Sequence, residues 1–131
     1  MAGTDRRRQP VLGGPAIILV EPQLGENIGA VARAMLNFGL VDLRLVRPRS
    51  KWLNDKTRAM ASRADEVLDR AQVFATTEEA TAELQHLYAT TARPREMLKP
   101  VVTARFAAAA MREASAANEL VGILFGGERA G

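Results

Sequence analysis

"AIILVEPQLGENIGAVARAMLNFG", Ala16 to Gly39, is the stretch whose reading decides the fold. Its first residues form an unbroken apolar run, too short for a surface helix and without the alternation of a half-exposed strand. That is the pattern of a strand buried on both faces. Glu21-Pro22 stops the run. From Asn27 the period changes: at about 100° per residue, Ile28, Val31, Ala32, Met35 and Leu36 share one arc. Arg33 and Asn37 lie opposite, with Ala30 and Ala34 beside them. Asn27 suits a helix N-cap and Gly39 a helix stop, so the spacing predicts a helix over 27–38.

Working outward, the alternation of strand and helix continues. Asp42–Val46 reads as a strand ending before Pro48, Asn54–Ser62 as a helix and Gln72–Ala75 as a short strand. Thr76, with Glu79 three residues later as a capping-box partner, opens a helix to about Gln85. Leu87–Thr91 is strand-like, Thr103–Ala117 a long helix and Leu120–Phe125 a last apolar strand. Strands separated by helices require crossovers, which predicts an α/β fold with a mainly parallel sheet and helices on both faces. Ligands bind such sheets outside the carboxyl ends of the strands. The least strand-like and least helix-like sequences fall there, at Glu21–Asn27, Arg47–Trp52, Thr90–Lys99 and Gly126–Gly131.

A chain of 131 residues suits one domain, read as 15–131 behind a flexible basic tail over 1–14. Hydrophobic content of 47% with 25% charged residues is that of a soluble globular protein. No apolar run approaches a membrane span and Met1–Pro10 lacks a signal-peptide core, so no membrane partner is expected and the cytoplasm is the expected compartment. Cysteine is absent, which excludes disulfides and thiolate chemistry. One histidine, His86, excludes a histidine-rich metal site and a serine–histidine triad, so no metal is expected. His86 itself reads as a surface or strand-edge residue. The net charge of +3 hides its clustering. Arg6-Arg7-Arg8 could be a phosphate-binding arm or a solvated tail. Arg44, Arg47, Arg49 and Lys51 form a second group, and Arg93, Arg95 and Lys99 a third, both candidates for phosphate binding.

Two strand ends carry chemistry. In "FGGERAG", Phe125–Gly131, two glycines after an apolar strand let the backbone turn and approach a ligand closely. A bare Gly-Gly would be a plain turn, but Glu128-Arg129 between glycines favours a site. Neither the P-loop ending nor the G-x-G-x-x-G fingerprint is present, which demotes NTPase and nicotinamide chemistry. In "YATTARPREM", Tyr88–Met97, Thr90-Thr91-Ala92 offer hydroxyls and free backbone before Arg93-Pro94-Arg95. Threonine's preference for strands accounts for Thr90, but not for the arginine-proline-arginine tail. Trp52 could stack on a base, although a lone tryptophan is more often partial core. From spacing alone, Arg33 is an ordinary solvent-facing arginine.

"NIGAVARAMLNFG" (27–39), "ATTARPR" (89–95) and "LFGGERAG" (124–131), in this order and spacing, resemble the SPOUT superfamily of RNA methyltransferases, and within it the TrmJ-type tRNA 2′-O-methyltransferase branch. The likeness runs from Ala16 to Gly131. It implies a homodimer that moves a methyl group from S-adenosyl-L-methionine to a ribose 2′-hydroxyl of RNA, most often tRNA, at position 32 of the anticodon loop. It also implies a trefoil knot near the cofactor, which general connection rules would argue against. By motif match, Arg33 is the catalytic residue, with Asn27 in the same motif and Glu128 in the second. Thr90, Thr91, Ala92, Gly126, Gly127 and Gly131 match cofactor-binding positions. Arg47, Arg49, Lys51, Arg93, Arg95 and Lys99 are the expected RNA-binding residues. The family pattern continues into a further strand and a third motif containing asparagine and serine, whereas this sequence stops at Gly131. Ending mid-motif after an apolar strand favours further residues beyond Gly131, and the knot is expected only with them. The alternatives are a related enzyme acting on rRNA or another tRNA site, a non-catalytic RNA-binding protein, and some other nucleotide-binding α/β enzyme.

Overall fold

A computed structural model describes residues 14–90 and 103–126. In chain order the elements are β1 (Ala16–Val20), α1 (Gly25–Asn37), β2 (Leu43–Val46), α2 (Asp55–Ala61) and α3 (Asp65–Asp69). They continue with β3 (Gln72–Phe74), α4 (Thr77–Thr81), β4 (His86–Ala89), α5 (Ala104–Ala116) and β5 (Val121–Phe125). The strands form one sheet in the order β3-β2-β1-β5-β4, with every neighbouring pair parallel. The expected α/β architecture is therefore present. The expectation of a trefoil knot falls outside the described residues.

β1 is central because both of its faces are apolar. Ile17 lies in register with Leu43 on one side and Ile123 on the other, and Ile18 with Arg44 and Leu124. Ile17 and Leu19 face a core completed by Ile28, Ala32 and Met35 of α1, Leu43 and Leu45 of β2, and Ala61, Ala64, Val67 and Leu68 of the α2–α3 segment. Ala16 and Ile18 face the opposite side, where Val46 and Ala80 of α4 close a smaller core. Burying a leucine or isoleucine side chain contributes about 1.5–3 kcal/mol, so the larger cluster dominates the stability of this half.

The helix ends explain several differences from the periodicity. α1 begins at Gly25 with Leu24 as its N-cap, and Leu24 provides no side-chain cap. Asn27 is thus not the N-cap; it is the third residue of the helix, and exposed. Leu24 is itself extended, and its carbonyl accepts Asn27 N–H at 3.1 Å and Ile28 N–H at 3.3 Å. Leu40 N–H donates to Met35 C=O at 2.8 Å and Gly39 N–H to Leu36 C=O at 3.0 Å, around Gly39 at φ 76°. This satisfies the last carbonyls of α1 and uses the glycine as expected. In α2, Asn54 caps Lys56 and Thr57 N–H while Thr57 returns a bond to Asn54 N–H. Thr76 caps Glu79 N–H at 3.1 Å, but α4 stops at Thr81, short of Gln85. α3 was not apparent from periodicity, being only five residues long.

α1 and α2 pack unusually closely. A Cβ on Gly29 would meet Thr57 C=O and, at 3.1 Å, Ala61 N, while one on Gly25 would meet Thr57 Oγ1 and Trp52 C=O. Gly29 lets the α2 backbone approach directly, and Gly25, one turn earlier, admits the segment that leads into α2. Trp52 is half-buried and packs against the larger core, the structural rather than the base-stacking role.

Candidate functional site

The carboxyl ends of four strands form one edge: Arg47 after β2, Glu21 after β1, Gly126 after β5 and Thr90 after β4. The order follows from the parallel registers, in which Val20 pairs with Val46, Leu19 with Phe125, and Ala89 with Leu124. These are the ends at which a parallel sheet is expected to bind ligands, and the structure brings them side by side.

On one flank, the basic loop is pinned by hydrogen bonds. Glu21 N–H donates to Val46 C=O at 2.7 Å, and Arg49 N–H to Pro22 C=O at 3.4 Å. Asn54 Nδ2 donates to Lys51 C=O at 3.0 Å, and Thr57 Oγ1 donates to Trp52 C=O. Arg47 and Lys51 adopt left-handed backbone, at φ 47° and 62°. Arg47 Nε donates to Glu21 Oε2 at 3.2 Å and its Nη1 to Ala75 C=O at 2.7 Å. Arg49 and Lys51 are exposed, and among the described residues their side chains have no acidic partner. Arg44, grouped with these by sequence, does not belong to them. It is 6% exposed and faces the smaller core, donating to Asp42 and Ala80 C=O and pairing with Glu83 at 2.8 Å. Burial alone would lower its pKa, but the hydrogen bonds and charges of Asp42 and Glu83 raise it. Arg44 fastens α4 to β2.

On the other flank, Thr90 N–H donates to Leu124 C=O at 2.9 Å, and its hydroxyl lies 3.5 Å from the same oxygen. A Cβ built on Gly126 would meet nothing within 4 Å. A threonine hydroxyl, small side chains and an open backbone at two adjacent strand ends fit a cofactor laid across them. Thr91, Ala92, Arg93, Arg95, Lys99, Gly127, Glu128 and Gly131 lie outside the described residues, as does the basic tail.

Arg33 stands apart. It is eight residues into α1, roughly 12 Å along the axis from Gly25, on the exposed face with Ala30, Ala34 and Asn37. Among the described residues it has no ion-pair partner and touches neither Thr90 nor Gly126 through a hydrogen bond. The face expected around it, small residues beside one arginine, is present. The Asn27 side chain is exposed on the first turn of the same helix, without a hydrogen-bond partner among the described residues. His86 opens the edge strand β4, its Nε2 lying 2.7 Å from Glu119 Oε1, as suits a strand-edge residue. Glu21 was not a candidate in the sequence. The available signal was a carboxylate placed directly after a buried strand.

The model of the SpoU rRNA Methylase family matches residues 14–131. The chain belongs to the SpoU rRNA methylase family. Among curated members, it is 40% identical over 115 residues to the tRNA (cytidine/uridine/adenosine-2′-O-)-methyltransferase TrmJ of Pseudomonas aeruginosa, covering 88% of this chain and 44% of that protein. The crystal structure of TrmJ from Z. mobilis ZM4 superposes with a TM-score of 0.82 at 59% identity, covering 89% of this chain and 51% of that one. A probable methylase family protein from Haemophilus influenzae Rd KW20 gives a TM-score of 0.80 at 30% identity over 94% of this chain and 49% of that one. The chain thus spans about half the length of these SpoU relatives.

Proposed function

We propose that this SpoU-family chain carries the methyl-transfer domain of a tRNA 2′-O-methyltransferase that uses S-adenosyl-L-methionine, acting on a ribose in the anticodon loop at position 32. The observation that carries the reading is the match over most of the chain to TrmJ relatives, with Arg33 on a firmly packed helix directly after β1. S-adenosyl-L-methionine would supply a methyl group on a positively charged sulfur. Thr90 and Gly126, with Thr91, Ala92, Gly127 and Gly131, are the residues to hold it.

Methyl transfer to a 2′-hydroxyl needs the two reactants aligned and negative charge on the attacking oxygen stabilised. Arg33 serves the second need. A guanidinium stays protonated in proteins, so its role is to stabilise the developing alkoxide and position the adjoining phosphate rather than to remove the proton. Asn27 and Glu128 are assigned supporting contacts at the reacting ribose. Because Arg33 is exposed on α1 and makes no hydrogen bond to Thr90 or Gly126, its action fits a homodimer in which one copy's α1 borders the other's pocket. Ala30 and Ala34 beside it permit that approach. Arg47, Arg49 and Lys51, with Arg93, Arg95 and Lys99, hold the RNA backbone, and the cytoplasm is the compartment where such a substrate is met.

A second reading, rRNA as substrate, is favoured by the family description. Mapping ribose methylation in tRNA and rRNA from a strain lacking the gene separates the two. Loss at tRNA position 32 is expected; loss confined to rRNA would overturn the tRNA assignment. In the full-length protein, Arg33→Ala is expected to lower methyl transfer about 10²- to 10³-fold. Calorimetry with S-adenosylhomocysteine should show near-normal cofactor binding. Undiminished turnover would remove Arg33 from the reaction.

A further inference from the structure

The chemistry assigned to Arg33 leaves Glu21 unused. Glu21 ends β1 at φ 52° and Arg47 ends β2 at φ 47°, so neighbouring strands make the same left-handed exit one residue beyond the Val20–Val46 pair. Residues other than Gly, Asn and Asp rarely adopt this backbone, and it persists where surrounding contacts enforce it. Here the two exits bring the Glu21 carboxylate and the Arg47 guanidinium to 3.2 Å. The Ala75 carbonyl takes a second bond from Arg47 Nη1 at 2.7 Å.

An ion pair this exposed, at 48% and 54% for the two side chains, adds little to folding stability. Backbone bonds from Glu21 N–H to Val46 C=O at 2.7 Å and from Arg47 N–H to Phe74 C=O at 3.0 Å hold both exits in place. Their geometric result is a guanidinium fixed at two nitrogens, with Nη2 lacking any acceptor among the described residues. The planar fork of arginine makes such anchoring effective, since holding two nitrogens sets the direction of the third. The same loop carries Arg49 and Lys51, both exposed.

We infer that Glu21 is a positioning residue, holding Arg47 so that its remaining N–H groups meet an RNA phosphate. The inference rests on the reading of this loop as an RNA contact. It carries a sign that simple electrostatics does not. A carboxylate beside a phosphate-binding loop repels RNA, so removing its charge should strengthen binding unless the carboxylate is organising a cation.

The test is equilibrium binding of an unmodified tRNA transcript to the full-length protein across a range of salt, with thermal melting to verify folding. Arg47→Ala is expected to weaken binding about tenfold and to reduce the salt slope by about one. Glu21→Gln preserves side-chain length yet is expected to weaken binding about threefold, despite removing a negative charge. In an Arg47→Ala background, the same Glu21→Gln change should leave binding unchanged or improve it, because there is then nothing to position. Binding by Glu21→Gln alone that equals or exceeds wild type, with Arg47→Ala weakened, overturns the role of Glu21. Unchanged binding by Arg47→Ala overturns the inference while leaving the methyl-transfer reading standing. Failure of the wild-type protein to bind tRNA would instead count against the tRNA assignment.

Discussion

Leu43 and Leu45 of β2 are 1% and 0% exposed, whereas Leu87 of β4 keeps 46% of its surface. Both strands are four residues long and parallel to their neighbours, but β2 lies inside the sheet and β4 at its edge, and they differ in what covers them. Over β1 and β2, three helices deliver branched and aliphatic side chains, and Gly29 lets α1 and α2 come together backbone to backbone. α5 contributes Ala107 and Ala114 as its buried residues, and small side chains seal less. One half of the sheet is thus built for rigidity under Arg33. Among the described residues, the other half is covered less, with Thr90 and Gly126 both exposed at its strand ends.

Glycine substitution puts this contrast under direct test. Gly29→Ala drives a methyl group into backbone atoms of α2, which cannot give way without moving the helix, and is expected to cost about 2–3 kcal/mol in chemical denaturation. Arg44→Ala leaves the Ala80 carbonyl without its donor and frees α4 from β2, with an expected loss of about 1–2 kcal/mol. Gly122→Ala, in the less covered half, meets the far ends of the Leu84 and Ile18 side chains, which can rotate aside. Its expected cost is under about 1 kcal/mol. If Gly122→Ala proved as damaging as Gly29→Ala, the two halves would be equally tight and the comparison would fail.

The smallest effect is a pH dependence. Burial would raise the Glu83 pKa, but its bonds to Arg44 and to backbone, with the Arg44 charge, outweigh this and hold it below the usual carboxylate value. A carboxylate with a lowered folded-state pKa stabilises above its unfolded value of about 4.3, and that contribution fades as pH falls through the folded value. Melting curves should therefore show a loss below about pH 4 in the wild type that is shallower in Arg44→Ala. Equal slopes would remove Glu83 from the fastening of α4.

Much of this was legible in the sequence. The apolar run at Ala16, the change of period after it and Gly39 were enough to place β1, the body of α1 and its end. The parallel sheet followed from the alternation of elements. The start of α1 was misplaced because Leu24 caps with backbone alone, leaving no polar side chain to read. α3 escaped because five residues do not complete two helical turns. Arg44 was misread because only Asp42 is near it in sequence, while Ala80 and Glu83 approach from α4 and the turn after it. At the site, motif likeness singled out Arg33, Thr90 and Gly126. The Glu21–Arg47 pair was hidden, because two residues 26 apart become neighbours only when their strands lie in register.

The glycine contact between α1 and α2 has one more consequence. α2 is capped by Asn54, whose side chain also holds the Lys51 carbonyl, so the basic loop is tied to the same backbone that Gly25 and Gly29 touch. Arg33 and the cations at positions 49 and 51 consequently belong to elements packed and hydrogen-bonded together, so a change that shifts α2 is felt at both ends of this surface.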